Sequence, residues 1–503
     1  MGADSSANNS STLHTLLKRG LLLALLLCSS FGSALATSLP APVVTALAQA
    51  RISHDAVAIW VQPVDGTPPT LQFNAGTPFN PASVMKLVTA FASFEHFGPA
   101  YSWQTRLAST QPIETSGDLN GDLYLIGSGD PLLDHPRLLT LLRRLRALGL
   151  QRVNGDLVLD ASVLQLPAHD PAAFDGRGLR PYNSGPHGLL LNFNSLLFQL
   201  HPGRPQQAVQ AIAEPALTGL SVRNQIRSVA GPCQVWHRDL DARFDGIGNQ
   251  LILSGSMPAS CGARTWSAAP LPPPAYAEAL VRSLWQELGG SVTGQVRHGK
   301  APAQVKTLLS HDSPPLAEIV RKMNKWSSNL IARQLIADLA VDGKAGSGDM
   351  VSTGVERAHA LLTAAAIDTR GLVIENGAGL SRIARIRADS LGQLLIRAWQ
   401  RPWMPEFIAA LPIAGVDGTA RRHLDRSPAR GQAHLKTGTI NGVRAIGGYV
   451  LDRHGRRQVV VMMINHPQAQ DGGAALDALL EWVWAGADSA GSAQSPGGSG
   501  IGR

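Results

Sequence analysis

The chain has little cysteine, few aromatic side chains and little charge. It contains 3 cysteines in 503 residues, and no His and Cys side chains near them have the spacing of metal ligands, so we expect no metal site. Aromatic residues make up 5% and charged residues 16%, but apolar residues reach 44%, which is typical of a globular chain and argues against a disordered one. A chain of this length is expected to form about three domains.

Long apolar runs and long basic runs are also scarce. Apart from a short run near the N-terminus, no segment is apolar over enough residues to span a bilayer, which leaves at most a peripheral association with a membrane. The net charge is +8, but short basic stretches such as 143–146 fall on a predicted amphipathic helix, where a solvated face is the simpler explanation. We therefore predict no nucleic-acid binding.

The N-terminal residues predict export. Lys18 and Arg19 precede the apolar run 21–27, and small residues follow, so residues 1–36 have the pattern of a cleavable secretory signal. Cys233 and Cys261 remain after cleavage. An oxidising compartment favours a disulfide between them, with two free buried thiols as the alternative.

The pattern of predicted helices and strands changes twice along the mature sequence, which predicts an insert within an insert. Residues 121–159 show a strand, a helix and a second strand, whereas 189–269 are rich in strands and turns and have no strong helical period. The Gly-, Ser- and Ala-rich tail is predicted to be disordered. The predicted division is a split catalytic domain of 37–104 and 308–486, an α/β module of 105–188 and 272–307, a nested β-rich module of 189–271 and a tail of 487–503.

The segment 80–91 has the pattern of a buried helix that carries a reactive pair. Asn80 is a favoured N-cap and Pro81 a favoured first helical residue. Ser83 and Lys86 fall in a polar stripe at helical spacing on an otherwise apolar segment, so they are predicted to be neighbours. Burial lowers the pKa of a lysine, which makes Lys86 a candidate base beside the Ser83 hydroxyl.

The first turn of this predicted helix offers a second element of acyl-transfer chemistry. The N–H of Ser83 lacks an intrahelical acceptor there and can donate to an oxyanion. The Asn80 side chain can compete for this N–H, or can bond that of Ala82 instead. The structural alternative for the whole stretch is a buried helix whose lysine extends to solvent.

Two more short motifs lie far along the chain. Ser327 and Asn329 form Ser-x-Asn in a predicted connection between two helices. Residues 436–439 have the sequence Lys-Thr-Gly-Thr on a predicted strand, which can join the N-terminal strands in one sheet. Each motif alone is common and has a structural explanation. Together, Ser-x-x-Lys, Ser-x-Asn and Lys-Thr-Gly in this order are the signature of penicillin-binding proteins and serine β-lactamases.

The chain resembles the D-alanyl-D-alanine carboxypeptidases and endopeptidases of the peptidase S13 group, the penicillin-binding protein 4 type. The 244 residues that separate Ser83 from Ser327 are similar to the two-module insert of this group and are too many for a compact β-lactamase. Ser328 and Thr439 stand where an acidic residue and a serine are common. The resemblance covers nearly the whole mature chain and includes the stretches 313–325, 376–382 and 411–419.

This resemblance implies a fold, an activity and partners. The implied fold is an α/β, penicillin-binding-protein or serine β-lactamase-like transpeptidase domain, an antiparallel sheet flanked by helices, with a large nested insert of an α/β module and a β-rich module. The implied protein is a periplasmic serine enzyme that cleaves D-Ala-D-Ala, and also D-Ala–meso-diaminopimelate cross-links, in peptidoglycan stem peptides. β-Lactams are expected to acylate it, no cofactor is expected, and a homodimer is left open.

The resemblance also implies roles for the first two motifs. Ser83 attacks the carbonyl between the two D-alanines, and Lys86 takes its proton, which requires a neutral amine. Lys436 is expected nearby and lowers the pKa of Lys86 by like-charge repulsion. Ser327 and Asn329 are expected to bridge the two lysines and to relay a proton to the leaving amine.

The third motif is expected to bind the reacting group and its carboxylate. The N–H groups of Ser83 and Thr439 form the implied oxyanion hole. The residues implied to bind the substrate around its terminal carboxylate are Lys436, Thr437, Gly438 and Thr439.

Two other functions stay open on the sequence alone. A serine β-lactamase shares the acylation step, but the long insert and the lack of a Glu-x-x-Leu-Asn stretch between the motifs argue against it. A non-catalytic cell-wall-binding protein of the same fold is argued against by the intact motifs. The sequence does not decide between a carboxypeptidase and an endopeptidase preference.

Overall fold

The computed structural model describes residues 38–234, 236–246, 249–341 and 348–486. The predicted signal at 1–36 and the predicted disordered tail at 487–503 lie outside the described residues. Within the described ranges, none of the helices is long and apolar enough to cross a membrane.

The described residues form ten α-helices and twenty-two strands. The helices are α1 Ala41–Gln49, α2 Lys86–Phe97, α3 His135–Ala147, α4 Pro273–Glu287, α5 Leu316–Trp326, α6 Asn329–Asp338, α7 Met350–Ala364, α8 Ala388–Trp399, α9 Met404–Ala409 and α10 Gly473–Trp484. The strands are β1 Val57–Pro63, β2 Leu71–Phe73, β3 Pro78–Phe79, β4 Gln104–Ser109, β5 Asp118–Leu119, β6 Leu123–Ile126, β7 Arg152–Val153, β8 Leu157–Asp160, β9 Leu196–His201, β10 Gln210–Glu214, β11 Ser221–Asn224, β12 Arg227–Val229, β13 Leu240–Asp245, β14 Gln250–Pro258, β15 Arg264–Ala268, β16 Ser291–Val292, β17 Val296–His298, β18 Lys306–Asp312, β19 Ile386–Arg387, β20 Ala433–Ile440, β21 Val443–Leu451 and β22 Arg457–Asn465.

The main sheet joins both ends of the described chain. Its order is β2-β1-β22-β21-β20, and all neighbouring strands are antiparallel. The sequence pattern predicts three C-terminal strands over 431–439, 443–451 and 458–465, and β20, β21 and β22 lie within two residues of these positions. β1 pairs with β22 through residues such as Ala58 and Met463. β20, which carries the Lys-Thr-Gly motif, is therefore an edge strand, and its outer side borders the segment that holds Ser83.

Helices cover both faces of the main sheet because its central strands are apolar on both sides. In β22, Val459 and Val461 face the core that contains α2, α5, α6 and α8, whereas Val460 and Met462 face the core that contains α1 and α10. Alternate residues of a strand point to opposite faces, so a wholly apolar strand is buried on both. Helix α2 consequently lies in the middle of a packed core.

The insert leaves the catalytic part through β4 and returns through β18, and these two strands pair antiparallel with each other. Their sheet has the order β17-β8-β6-β4-β18, and α3 and α4 share its core. β6, β8 and β17 are parallel, so residues 123–160 form the predicted β-α-β unit. The sequence pattern does not predict β18, because its side chains are polar or half-exposed. β18 crosses the predicted boundary near residue 307, and the domain boundaries themselves stay a prediction.

The β-rich part consists of two small sheets, β10-β9-β15 and β11-β14-β12, with β13 paired to β14. The sulfur atoms of Cys233 and Cys261 lie 2.13 Å apart and form a disulfide. Leu253 of this part shares one buried core with Leu157 and Trp285 of the α/β part. The two modules that the sequence separates therefore pack around a common core.

The sequence pattern predicts a helix over 358–365, but helix α7 begins eight residues earlier, at Met350. Asp349 caps its N-terminus through its carboxylate. The sequence pattern does not predict this first part of the helix because it contains Gly354, and glycine disfavours helical structure. A side chain at position 354 would collide with the carbonyl oxygen of Ile336, so glycine permits the close contact between α7 and α6.

Candidate active site

The candidate nucleophile lies in a tight turn that leads into α2. The sequence predicts one α-helix from Asn80, but residues Ala82–Met85 form a 3-10 turn and the α-helix begins at Lys86. Ala82 has a φ of +44°, which is not helical. Lys86 Nζ still lies 3.0 Å from Ser83 Oγ, because a 3-10 turn also brings side chains three residues apart together.

Asn80 fixes this turn from outside. Its Oδ1 accepts a hydrogen bond from the N–H of Ala82 at 2.9 Å, and its Nδ2 donates to the carbonyl of Ser381 at 2.9 Å. The side chain of Asn465 in β22 bonds both the N–H and the carbonyl of Asn80, at 2.8 and 3.0 Å. Asn80 therefore caps Ala82 and does not occupy the N–H of Ser83.

Lys86 is fully buried and has three oxygen partners. Its Nζ lies 3.0 Å from Ser83 Oγ, 2.8 Å from Asn329 Oδ1 and 2.6 Å from the carbonyl oxygen of Ala378. The sequence predicts the first two contacts. It gives no sign of the third, because a backbone carbonyl has no residue-type signature, although Ala378 does lie in the family-like stretch 376–382.

Burial is the main cause of the lowered pKa of Lys86, because a desolvated ammonium is costly. The positive charges of Lys436 and Arg333 lower this pKa further, in that order. The resemblance predicts the effect of Lys436 but not that of Arg333. All three effects favour the neutral form of the amine beside the Ser83 hydroxyl.

The second motif lies at the junction of α5 and α6. Ser327 ends α5 in the left-handed conformation, with a φ of +57°, and α6 begins two residues later at Asn329. This sharp turn directs Ser327 and Asn329 into the cleft. Ser328 caps α6, since its hydroxyl accepts from the N–H of Ile331 at 3.3 Å. A serine caps a helix about as well as an acidic residue, so the departure at Ser328 is compatible with the fold.

The third motif brings the second lysine to the same cleft. Lys436 of β20 is fully buried, and its Nζ lies 3.1 Å from Ser327 Oγ and 2.6 Å from the carbonyl oxygen of Thr437. Burial lowers the pKa of Lys436 to about 7. Ser327 contacts Lys436 whereas Asn329 contacts Lys86, so each side chain of the second motif bonds one lysine rather than bridging both.

Gly438 allows β20 to approach the nucleophile turn closely. A Cβ at this position would lie 2.5 Å from the carbonyl oxygen of Pro81 and 3.1 Å from the nitrogen of Ser83. Only a residue without a side chain fits there. Thr439, the next residue, is exposed in the cleft, so the backbone of β20 and the N–H of Ser83 border the same space.

A loop that the predicted site omits supports the third motif. The hydroxyl of Thr437 donates to that of Thr419 at 2.7 Å. An ion pair of 2.6 Å between Lys325 of α5 and Asp417 fixes the loop next to the second motif. Thr419 and Asp417 belong to the family-like stretch 411–419, which is the sequence signal that points to them.

The insert reaches the site through Arg333, which the predicted site also omits. Arg333 is only 8% exposed, and its Nη1 donates to the carbonyl of Ser184 at 2.7 Å and more weakly to that of Tyr182 at 3.4 Å. Asn329 Nδ2, one turn earlier on α6, donates to the same Tyr182 carbonyl at 3.2 Å. The insert thereby orients the amide that bonds Lys86. An arginine inside an apolar helix, four residues after Asn329, is the available sequence signal.

A cavity of about 410 Å³ lies between the insert and the catalytic part. One wall comes from residues 166–174 and the other from 375–383. Arg333 lines it, and Glu375 raises the pKa of Arg333 against the stronger effect of burial, leaving it at about 10. The guanidinium of Arg382 lies over the ring of Phe174, 4.6 Å from its centroid, and joins the two walls.

The site therefore combines a hydroxyl, two buried amines, an amide and backbone N–H groups on one cleft. Within the described ranges, no group of three or more His, Cys, Asp and Glu side chains could hold a metal ion. A hydroxyl within hydrogen-bond reach of a neutral amine is the arrangement of a serine acyl-transfer enzyme. Together with the helix-flanked antiparallel sheet and the order of the three motifs, it defines the penicillin-binding class.

The chain belongs to the D-Ala-D-Ala carboxypeptidase 3 (S13) family, whose sequence model matches residues 39–484. A D-alanyl-D-alanine carboxypeptidase from an Actinomadura species is 30% identical over 406 residues, which cover 75% of this chain and 72% of that protein. D-alanyl-D-alanine carboxypeptidase DacB of Haemophilus influenzae is 27% identical over 403 residues, covering 78% of this chain and 82% of that protein. The chain is thus a D-Ala-D-Ala carboxypeptidase by family, as the resemblance predicts.

Solved structures give the same result for the fold. The crystal structure of penicillin binding protein 4 from Haemophilus influenzae superposes with a TM-score of 0.72 at 25% identity, and the match covers 87% of this chain and 99% of that one. The same protein complexed with a β-lactam superposes with a TM-score of 0.69. The predicted fold class is confirmed.

Proposed function

We propose that the chain is an exported serine peptidase that cleaves D-Ala-D-Ala in peptidoglycan stem peptides through an acyl-enzyme on Ser83. The environment of Lys86 Nζ carries this proposal. A neutral amine has two N–H groups and one lone pair. Asn329 Oδ1 and the carbonyl of Ala378 accept the two N–H groups, which leaves the lone pair for the hydroxyl of Ser83. In this state Lys86 can act as the base.

Acylation begins when Ser83 Oγ attacks the carbonyl carbon of the penultimate D-Ala while Lys86 takes the hydroxyl proton. The N–H groups of Ser83 and Thr439 stabilise the oxyanion, and losing one such donor typically costs about 3 kcal/mol. The C–N bond then breaks, and the leaving amine takes a proton from Ser327, which Lys436 restores. Lys86 next loses the proton that it took from Ser83, and this proton replaces the one that Lys436 gave up, so both amines regain their starting states. Water then attacks the ester and gives a proton to Lys86, which passes it to Ser83 Oγ as the ester bond breaks.

The terminal carboxylate of the substrate is assigned to Lys436, Thr437 and Thr439. Lys436 titrates near neutral pH because it is buried, and an approaching carboxylate favours its charged form. Without substrate, the hydroxyl of Thr437 donates to that of Thr419 at 2.7 Å. When the carboxylate binds, the Thr437 hydroxyl turns its single proton to the carboxylate and accepts from Thr419 instead. The carboxylate-binding end of the cleft is therefore at Thr437.

The cavity beside the site is assigned to the rest of the stem peptide. Its walls carry Asp170 and Glu375 as well as Arg333 and Arg382, so they present charges of both signs. A diaminopimelate residue presents an amine and a carboxylate on one side chain and matches such a lining. Recognition of this residue on the acyl side supports cleavage of D-Ala–meso-diaminopimelate cross-links in addition to D-Ala-D-Ala.

The proposal also includes inhibition by β-lactams and a periplasmic location. The Haemophilus influenzae homologue was crystallised with a β-lactam, which supports acylation of Ser83 by the same compounds. The disulfide between Cys233 and Cys261 supports an oxidising compartment, in line with the predicted secretory signal. Binding to the cell wall follows from the proposed substrate.

The test is the variant Ser83→Ala, compared with Ser93→Ala as a matched control. Ser93 lies on α2, the helix that follows the turn with Ser83, and is buried without a hydrogen-bond partner among the described residues, so its loss should not affect the chemistry. We expect Ser83→Ala to lose both labelling by a fluorescent penicillin and release of D-alanine from a stem pentapeptide. Ser93→Ala should retain both.

Three results would contradict the proposal. Labelling that persists in Ser83→Ala would remove Ser83 as the nucleophile. Rapid hydrolysis of nitrocefin by the wild type would favour a β-lactamase. Failure of the wild type to release D-alanine would favour a non-catalytic wall-binding protein.

A further inference from the structure

Two large apolar side chains are exposed beside the second motif. Trp326, the residue before Ser327, is 68% exposed, and Val416 is 54% exposed. A single exposed apolar residue is ordinary, but a tryptophan seldom stays this exposed without a partner. Its place next to a catalytic serine suggests that the partner is brought there by the reaction.

The backbones that carry these two side chains are held together. Lys325 Nζ forms the 2.6 Å ion pair with Asp417, and a Cβ on Gly418 would lie 2.5 Å from the carbonyl oxygen of Lys325. Trp326 follows Lys325, and Val416 precedes Asp417. Both side chains therefore project from neighbouring, fixed positions.

This surface borders β20 near Thr437, in the middle of the strand. The 3-10 turn Gly418–Ala420 follows directly, and Thr419 in it bonds Thr437. Arg421 and Arg422 come next and are both exposed. We call the surface formed by Trp326, Val416, Arg421 and Arg422 the departure rim.

The cavity lies at the C-terminal end of the same strand. Ile440 packs with Phe174 and Leu380, and Arg382 Nη1 donates to the carbonyl of Asn441 at 3.3 Å. Positions 437 and 440 of a strand are about 10 Å apart. The cavity and the departure rim therefore lie at different points along one edge strand.

We propose that the departure rim binds the leaving half of a cross-linked substrate, the stem peptide whose side-chain amine departs when Ser83 is acylated. This inference rests on the proposed function. A departing D-alanine is too small to reach past Thr437, whereas a departing diaminopimelate continues into a second stem peptide with further carboxylates. Its aliphatic chain matches Trp326 and Val416, and its carboxylates match the arginines.

The test compares two substrates in the full-length protein. In Trp326→Ala we expect kcat/KM for a cross-linked muropeptide dimer to fall about tenfold, the effect of removing an aromatic anchor from a binding surface. Release of D-alanine from a linear pentapeptide and acylation by a fluorescent penicillin should change less than about twofold. Trp326→Phe should retain most of the dimer activity, since it keeps an aromatic face.

The control is Ile212→Ala, which removes a 46% exposed apolar side chain from β10 of the nested module and should leave both substrates unchanged. Equal losses on the dimer and the pentapeptide, or unchanged dimer cleavage in Trp326→Ala, would overturn the inference. So would a wild type that releases D-alanine but does not open the dimer. A wild-type homodimer lost in Trp326→Ala, with unchanged substrate preference, would assign the rim to self-association instead. Loss of D-alanine release in the wild type would instead refute the proposed function itself.

Discussion

Two fully buried lysines border one cleft from opposite sides, and their surroundings differ. Lys86 lies at the start of α2 and contacts three oxygen atoms, one of which is the nucleophile. Lys436 lies on the edge strand and contacts the hydroxyl of Ser327 and its own neighbour's carbonyl. Burial alone lowers the pKa of Lys436 to about 7, whereas Lys86 also faces two cations, Lys436 and Arg333.

The difference shows how one residue type can serve two tasks in one site. Lys86 is desolvated and faces two cations, and both effects favour a neutral amine that can take a proton. Lys436 has a pKa that an incoming carboxylate can raise, which suits an amine that becomes a cation when the substrate binds. Three experiments test this division.

The largest expected effect comes from removing each amine in turn. Lys86→Met should lower the second-order rate constant for acylation by a fluorescent penicillin by about a thousandfold, because the base is lost. Lys436→Met should lower it by about a hundredfold, since substrate binding and proton return are weakened but the base remains. Thermal unfolding should occur at the same or a higher temperature in both variants, because a buried amine is removed. Equal losses would contradict the division.

The second experiment is the pH dependence of kcat/KM for D-alanine release, which should be bell-shaped. The rate should rise with pH as Lys86, whose pKa is lowered, loses its proton and becomes a base. It should fall by up to about tenfold per pH unit above about 7, because the free enzyme's Lys436 then loses the charge that attracts the carboxylate. A pentapeptide with a C-terminal amide should lack this alkaline limb. An alkaline limb that persists with the amide would contradict the assignment of Lys436.

The smallest expected effect comes from changing Arg333, a cation that lowers the pKa of Lys86 but not that of Lys436. Arg333→Gln removes a positive charge, so the pKa of Lys86 should rise and the acidic limb should move to higher pH, with severalfold slower acylation on that side. The alkaline limb should stay in place. Arg321→Gln on the exposed face of α5 is the control. If the maximum of the pH profile is lower but neither limb moves, Arg333 acts only by holding the Tyr182 carbonyl.

The sequence predicts those parts of the site that are carried by residue types at fixed spacing. The pair Ser83 and Lys86, the second motif and the three C-terminal strands all have such patterns, and the structure brings the three motifs together. The last strands are predicted well because β21 and β22 are long, apolar and buried. Long elements with a clear pattern are the most predictable from sequence.

Other parts of the site depend on backbone groups and distant contacts, which leave no such pattern. The carbonyls of Ala378 and Tyr182 could belong to any residue type, and Tyr182 lies 147 residues before Asn329. The 3-10 turn before α2 is hidden because Asn80 and Pro81 also suit an α-helix. In each case the local sequence fits two conformations, and tertiary contacts select one.

The pairing of β4 with β18 makes the insert removable in principle. Excision would leave two chain ends one strand spacing apart, about 4.8 Å, which a two-residue hairpin loop could close. The shortened enzyme would, however, lose the carbonyls of Tyr182 and Ser184, which accept the hydrogen bonds of Arg333 and Asn329. A minimal version of this enzyme therefore needs a new acceptor that holds the Asn329 amide against Lys86 before its hydrolytic core can be expected to work alone.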